Sequence, residues 1–157
     1  MSIEIDGQTG DLPPGKVGIV VSRYNRGVCD AILRGAIETL TQAGLPEERL
    51  RVIRVPGAWE LPLAVKIVLG RADVIAAVAL GAVIRGETSH DEHINRAVSM
   101  VLMEASLSSE KPVGFGLLTC HNLEQAIQRS GGTVGNKGAE AAEAVLEMLR
   151  LATRLSE

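Results

Sequence analysis

The apolar run Val78-Ala79-Leu80-Gly81-Ala82-Val83-Ile84 stops abruptly at Arg85-Gly86-Glu87-Thr88-Ser89-His90, and this change limits what the chain can fold into. A run with no polar alternation reads as a strand buried on both faces, the middle of a parallel sheet. Ser89-His90-Asp91-Glu92 then has Ser-x-x-Glu spacing, which predicts Ser89 as a helix N-cap and Glu92 as its reciprocal N3 partner. His90 falls on the first helical position, at the mouth of a strand-to-helix turn, where open parallel sheets bind ligands. Gly86 to Ser89 are placed to hold an anion beside an imidazole that exchanges protons near neutrality. The spacing is met equally well by a polar histidine on an exposed first turn.

The rest of the chain repeats this strand-then-helix alternation. Strands are predicted at Val17–Val21, Arg51–Val55, within Asp73–Ile84 and at Pro112–Leu118. Helices are predicted at Val28–Ala43, Trp59–Leu69, Asp91–Leu107, Leu123–Arg129 and Gly138–Leu155, with Pro62 tolerated in a first turn and Gly44 as a stop. Alternation implies right-handed crossovers, and so an α/β three-layer αβα sandwich around a four-stranded parallel sheet in flavodoxin-like order. Residues 1–15, polar and carrying Gly7, Gly10 and Pro13-Pro14, read as an N-terminal arm suited to adding an edge strand to a neighbouring subunit. Residues 16–157 form one domain.

Composition excludes several classes. At 157 residues with 46% hydrophobic content the chain is long and apolar enough for its own core. A net charge of −3 with no dense Lys/Arg stretch argues against a nucleic-acid partner. The start lacks a signal-peptide pattern and no segment has the apolar length of a membrane span, so no membrane partner and a cytoplasmic location are expected. Cys29 and Cys120 are far apart and form no Cys-x-x-Cys pair, which argues against a disulfide framework or a thiolate zinc site; Cys120, near a predicted strand end, reads as a buried structural thiol or as a neighbour of a ligand.

The chain has three aromatics, Tyr24, Trp59 and Phe115, and the first two land just past strand ends on the rim that carries His90. Flat side chains there suit a flat ring, although each equally suits packing against the sheet edge. Glu60 can accept hydrogen bonds from sugar-like hydroxyls or simply sit as a favourable acid on a first helical turn. The segment Gly131-Gly132-Thr133-Val134-Gly135-Asn136-Lys137-Gly138 is no Walker loop, since no Ser or Thr follows Lys137 and a helix precedes it. It is a tight joint flanked by Arg129 and Lys137, cations that can meet a phosphate or remain solvated. His90 and His93 with Glu87, Asp91 and Glu92 offer a metal reading too, but capping and the helix dipole already account for most of these groups.

Five blocks taken together resemble one family: Ser22-Arg23-Tyr24-Asn25, Val55-Pro56-Gly57-Ala58-Trp59-Glu60-Leu61-Pro62, Gly81 to His90, Glu124-Gln125-Ala126-Ile127-Gln128-Arg129 and Gly135-Asn136-Lys137-Gly138. In order and spacing they are similar to the signatures of 6,7-dimethyl-8-ribityllumazine synthases, from about Val17 to the C-terminus. The resemblance implies a transferase of riboflavin biosynthesis that condenses 5-amino-6-ribitylamino-uracil with 3,4-dihydroxy-2-butanone 4-phosphate, with no metal and no organic cofactor. A catalytically weak flavin-binding or shell-forming protein of the same fold is the alternative.

Carried over by position, the resemblance implies that Tyr24 stacks on the pyrimidine and that Ala58, Trp59 and Glu60 line the ribityl pocket. The backbone of Ala82, Val83 and Ile84 contacts the ring, Gly86, Glu87 and Thr88 bind phosphate with Arg129, and His90 shuttles protons. Phe115 and Lys137 reach the pyrimidine from a neighbouring subunit, with Glu140 close to His90. It also implies self-association as a pentamer or multiples of it, and the short glycine-rich joint favours a pentamer-based shell. Tyr24 and Trp59 stand where Phe is commoner in relatives, Asp91 and His93 where aromatics are common, and Thr133 where many have lysine.

Overall fold

The long apolar run becomes the longest strand of the sheet in a computed structural model that describes residues 1–86 and 88–157. The elements are β1 (Lys16–Ser22), α1 (Arg26–Gln42), β2 (Leu50–Val55), α2 (Leu61–Leu69), β3 (Val74–Ile84) and α3 (His90–Ser109). They continue with β4 (Val113–Cys120), α4 (Leu123–Gln128), β5 (Ser130–Gly132), β6 (Gly135–Asn136) and α5 (Lys137–Leu155). The main sheet is four-stranded and parallel in the order β2-β1-β3-β4, the flavodoxin-like arrangement read from the alternation.

Because side chains alternate across a strand, the two central strands feed two cores. Val17, Ile19 and Val21 with Ala76, Val78 and Leu80 pack under α1 and α5, against Ile32, Leu40, Val145 and Leu149. Val20, Ala77 and Ala79 face the other way and pack under α2 and α3, against Leu61, Val65, Val98 and Leu102. Both faces of β3 are therefore covered, which is why its sequence shows no polar alternation. β2 and β4 are the edges.

Two local expectations need correction and a third is refined. Ser89 is the N-cap of α3, but its side chain caps nothing: at φ −80°, ψ 15° it lacks the extended backbone that aims a cap hydroxyl at the first-turn N–H groups. Thr88 Oγ1 instead accepts from the His90 N–H at 3.4 Å. The second helix begins only at Leu61, since Ala58–Glu60 form a tighter 3₁₀ turn that leaves Pro62 in the first α-helical turn. The glycine-rich segment, read as a tight joint, contains a short antiparallel hairpin of β5 with β6. Asn122 and Asn136 are the caps that do bond, accepting from the Gln125 and Ala139 N–H groups at 2.9 and 3.1 Å.

Residues 1–15 contain no strand. Their second half lies along α5, where Arg154 donates to the Asp6 and Thr9 carbonyls and Arg150 to that of Gly10. Gly7 is buried there, and a Cβ on it would stand 1.9 Å from the Glu147 carbonyl oxygen.

Candidate active site

Parallel strands deliver their C-terminal ends to one rim, and the strand order reverses beside β1, opening a crevice. Three strand ends are tied together there. The Arg23 and Tyr24 N–H groups donate to the Val55 and Pro56 carbonyls at 2.8 and 3.2 Å, and Asn25 Nδ2 donates to the Ala82 carbonyl at 3.0 Å. Asn25 adopts the left-handed conformation (φ 57°, ψ 51°), which turns the chain from β1 directly into α1.

The crevice is a cavity of about 350 Å³. Tyr24, Ala58, Trp59 and Glu60 form its outer walls, and Ala82, Val83 and Ile84 its floor. Gly86, Thr88 and His90 close the end nearest α3. Tyr24 and Trp59 are 71% and 61% exposed, so their rings stand over the opening rather than in the core. Glu60 is oriented from within its own turn, with Oε2 accepting from the Gly57 N–H at 3.1 Å. Glu87 lies outside the described residues.

The remaining candidates gather elsewhere. Phe115, Arg129, Lys137 and Glu140 line a second cleft of about 310 Å³, between the outer edge of β4 and the start of α5. Arg129 is held by its own helix, its Nη1 donating to the Gln125 carbonyl at 3.2 Å. Lys137 and Glu140 form a loose pair at 3.9 Å. One protomer therefore keeps the histidine and the aromatic rim in one cavity and the two cations in another.

The geometry adds Asn25, Asp91 and Ile94 to the lining of the rim cavity. Asn25 was legible as an α-left-tolerant residue after a strand, and Asp91 lay within the helix-start motif, where its charge was explained by the dipole alone. Among the described residues no group of three or more His, Cys, Asp or Glu side chains comes together to hold a metal ion. The cysteines lie behind the chemistry: Cys29 Sγ donates to the Tyr24 carbonyl at 3.2 Å, and burial pushes its thiol up to about 11. Burial also raises the Cys120 thiol, with the charge of Arg129 pulling the other way.

An aromatic rim beside an imidazole suits a planar ring, and a cleft with two cations suits a phosphate ester. Comparison with known proteins points the same way. A family model described as 6,7-dimethyl-8-ribityllumazine synthase matches residues 14–153. The chain is 62% identical over 151 residues to the 6,7-dimethyl-8-ribityllumazine synthase of Rhodopirellula baltica, covering 96% of this chain and 97% of that one. Proteins of the same name from Halorhodospira halophila and Nitratidesulfovibrio vulgaris are 45% and 44% identical, each over 96% of both chains.

Proposed function

The chain belongs to the 6,7-dimethyl-8-ribityllumazine synthase family, and from that premise we propose how its two clefts share one reaction. It condenses 5-amino-6-ribitylamino-uracil with 3,4-dihydroxy-2-butanone 4-phosphate, releasing phosphate and water, as a transferase of riboflavin biosynthesis.

In this reading the pyrimidine lies against Tyr24 and the backbone of Ala82, Val83 and Ile84. The ribityl chain runs past Ala58 and Trp59 to Glu60, whose second carboxylate oxygen accepts its hydroxyls. The butanone phosphate sits beside Gly86, Glu87 and Thr88, with Arg129 as its fixed cation. The 5-amino group attacks the ketone, and His90 moves the protons that imine formation and phosphate loss require. Amine and ketone react without further activation once held together, so positioning supplies much of the rate.

The separation of His90 from Arg129 carries the reading. Each lines a different cavity of one protomer, yet one reaction centre needs both, so the cationic cleft of one copy completes the rim cavity of the next. Such head-to-tail contacts close into a ring, here a pentamer, with Phe115, Lys137 and Glu140 reaching across from the neighbour. Exposed apolar surface supports this: Met103, Leu107, Phe115 and Met148 line an open groove of about 660 Å³ beside the β4 edge. Further association of pentamers into a shell belongs to the same proposal. So does residence in the cytoplasm, a reducing compartment that suits two unpaired, buried cysteines. No helix among the described residues is long and apolar enough to cross a membrane.

Mixing tests the shared site. With butanone phosphate held well below its wild-type KM, His90→Ala and Arg129→Ala each turn over at a small fraction of the wild-type rate, but random co-assembly pairs an intact rim with an intact cleft at about a quarter of contacts. Recovery of about that share of wild-type turnover is expected. No recovery, with co-assembly verified by a mass tag, would place both half-sites in one chain.

A further inference from the structure

One wall of the rim cavity holds a polar group that the reaction as described leaves unused. Asp91 lines the cavity, and among the described residues its Oδ1 is buried with no hydrogen-bond partner. A buried acceptor costs free energy until a donor reaches it. Asn95 Oδ1 is likewise buried without a partner among the described residues, and Asp91 and Asn95 stand four residues apart on a helix face shared with Val98, Leu102 and Ala105, the buried stripe of α3. That stripe turns polar at the end where α3 packs on the Ala58–Glu60 turn.

This turn places Trp59 among the residues that line the same cavity. Its indole Nε1–H is a donor with no accepting capacity, and the residue is 61% exposed, so most of its surface is not packed against the fold. The neighbouring His90 is a poor source of the missing donor, because adjacent residues on a helix do not face each other. The geometry points to a latch: when a ring occupies the cavity, Trp59 swings inward and donates its indole N–H to the Asp91 carboxylate. Trp59 then covers the ring face, and Asp91 is a positioning residue that acts through Trp59. The inference rests on the proposed use of this cavity for the pyrimidine.

Coupling between the two side chains is the test. Trp59→Phe and Asp91→Ala are each expected to raise KM for the ribitylamino-pyrimidine about tenfold, the scale of one lost charge-assisted hydrogen bond, with kcat and the butanone phosphate KM little changed. The double variant should show the same tenfold loss rather than about a hundredfold, since both changes remove one bond. Asp91→Asn, which keeps an acceptor oxygen, should recover most of the affinity. Trp59 is the sole tryptophan, so its emission is unambiguous. A ribitylamino-pyrimidinedione lacking the 5-amino group should shield it from acrylamide in the wild type and much less in Asp91→Ala.

Additive losses, or equal shielding in both proteins, would overturn the latch. So would coupling of Asp91 to Asn95 instead, because an Asn95 amide turned end for end supplies the donor from within α3. Wild-type protein that forms no lumazine would defeat the underlying reading, an outcome distinct from an active enzyme with uncoupled variants.

Discussion

Gly138 is where the cationic half-site is fastened to the fold, and adding one methyl group there tests that connection. It lies in the first turn of α5, directly after Lys137, with its Cα against the backbone of α1. A Cβ at this position would stand 1.8 Å from the Ile32 carbonyl oxygen, 2.6 Å from its carbonyl carbon and 3.0 Å from its Cα, where ordinary contact begins at 3.4 Å. Rotamer adjustment offers no escape, because every obstructing atom is backbone. The helices must separate by more than about 1 Å, enough to forfeit up to half of the dispersion attraction across a close contact. That contact includes Ile32, Ala142 and Val145, all buried. Overpacking on this scale costs about 3 kcal/mol, against which the better helix propensity of alanine returns under ~1 kcal/mol. The net loss of about 2 to 3 kcal/mol lowers the melting midpoint by roughly 5–10 °C in a chain of this size. Thermal unfolding followed by far-ultraviolet circular dichroism measures it, at fixed protein concentration because association shifts the midpoint. Turnover should also fall as Lys137 moves. A Gly138→Ala protein with unchanged midpoint and unchanged turnover would refute the argument that close backbone contact positions this half-site.

Arg129→Ala should raise KM for the butanone phosphate at least tenfold while that for the pyrimidine changes little, and His90→Ala should lower kcat with both KM values largely kept; steady-state kinetics with each substrate varied separates the two. Asn136 both caps α5 and donates to the Ala31 carbonyl of α1 at 3.1 Å, so Asn136→Ala should cost about 2 kcal/mol and Asn136→Asp, which keeps only the cap, about half that, read from urea midpoints. Cys29 gives a pH dependence of definite sign. Its thiol rises from 9.0 to about 11 in the fold, so folding favours the protonated form. That contribution is complete below the unfolded value and is lost as pH rises through the folded one. Wild-type stability should therefore fall more steeply than that of Cys29→Ala between pH 9 and 11, with parallel urea midpoints below pH 9.

The rim cavity was legible because every part of it follows a strand. An apolar run ending at a polar turn is a local signal, and Tyr24, Trp59 and His90 each lie a few residues beyond such an end. In a parallel sheet those ends share one rim, so three separated motifs converge without any knowledge of contacts. The capping pattern at Ser89 failed for an equally local reason: spacing reports which residue is first, while the bond depends on a backbone angle that the Thr88–His90 contact resets. Asp91 drew no attention as a lining residue because an acid on a first helical turn already has a sufficient explanation in the dipole, and an explained charge does not prompt a search for a partner.

The second cleft shows what periodicity cannot carry. β4 reads from sequence much like an inner strand, with Gly114, Gly116, Leu117 and Leu118 buried, and only the sheet order makes it an edge. With no strand beyond β4, Phe115 is left 42% exposed on the face of an edge strand. The open groove beside it is lined by the exposed apolar side chains of Met103, Leu107 and Met148. Residues that a family pattern assigns to one reaction thus lie on two faces of each chain, and an edge strand is where a second chain can supply what the first lacks. Strengthening the rim cavity alone, for instance with an added cation near Thr88, should leave an isolated protomer inactive, because Phe115 and Lys137 remain on its far side. A protomer held monomeric by charged substitutions at Met103 and Leu107 that still turned over at the wild-type rate would show that the rim suffices by itself.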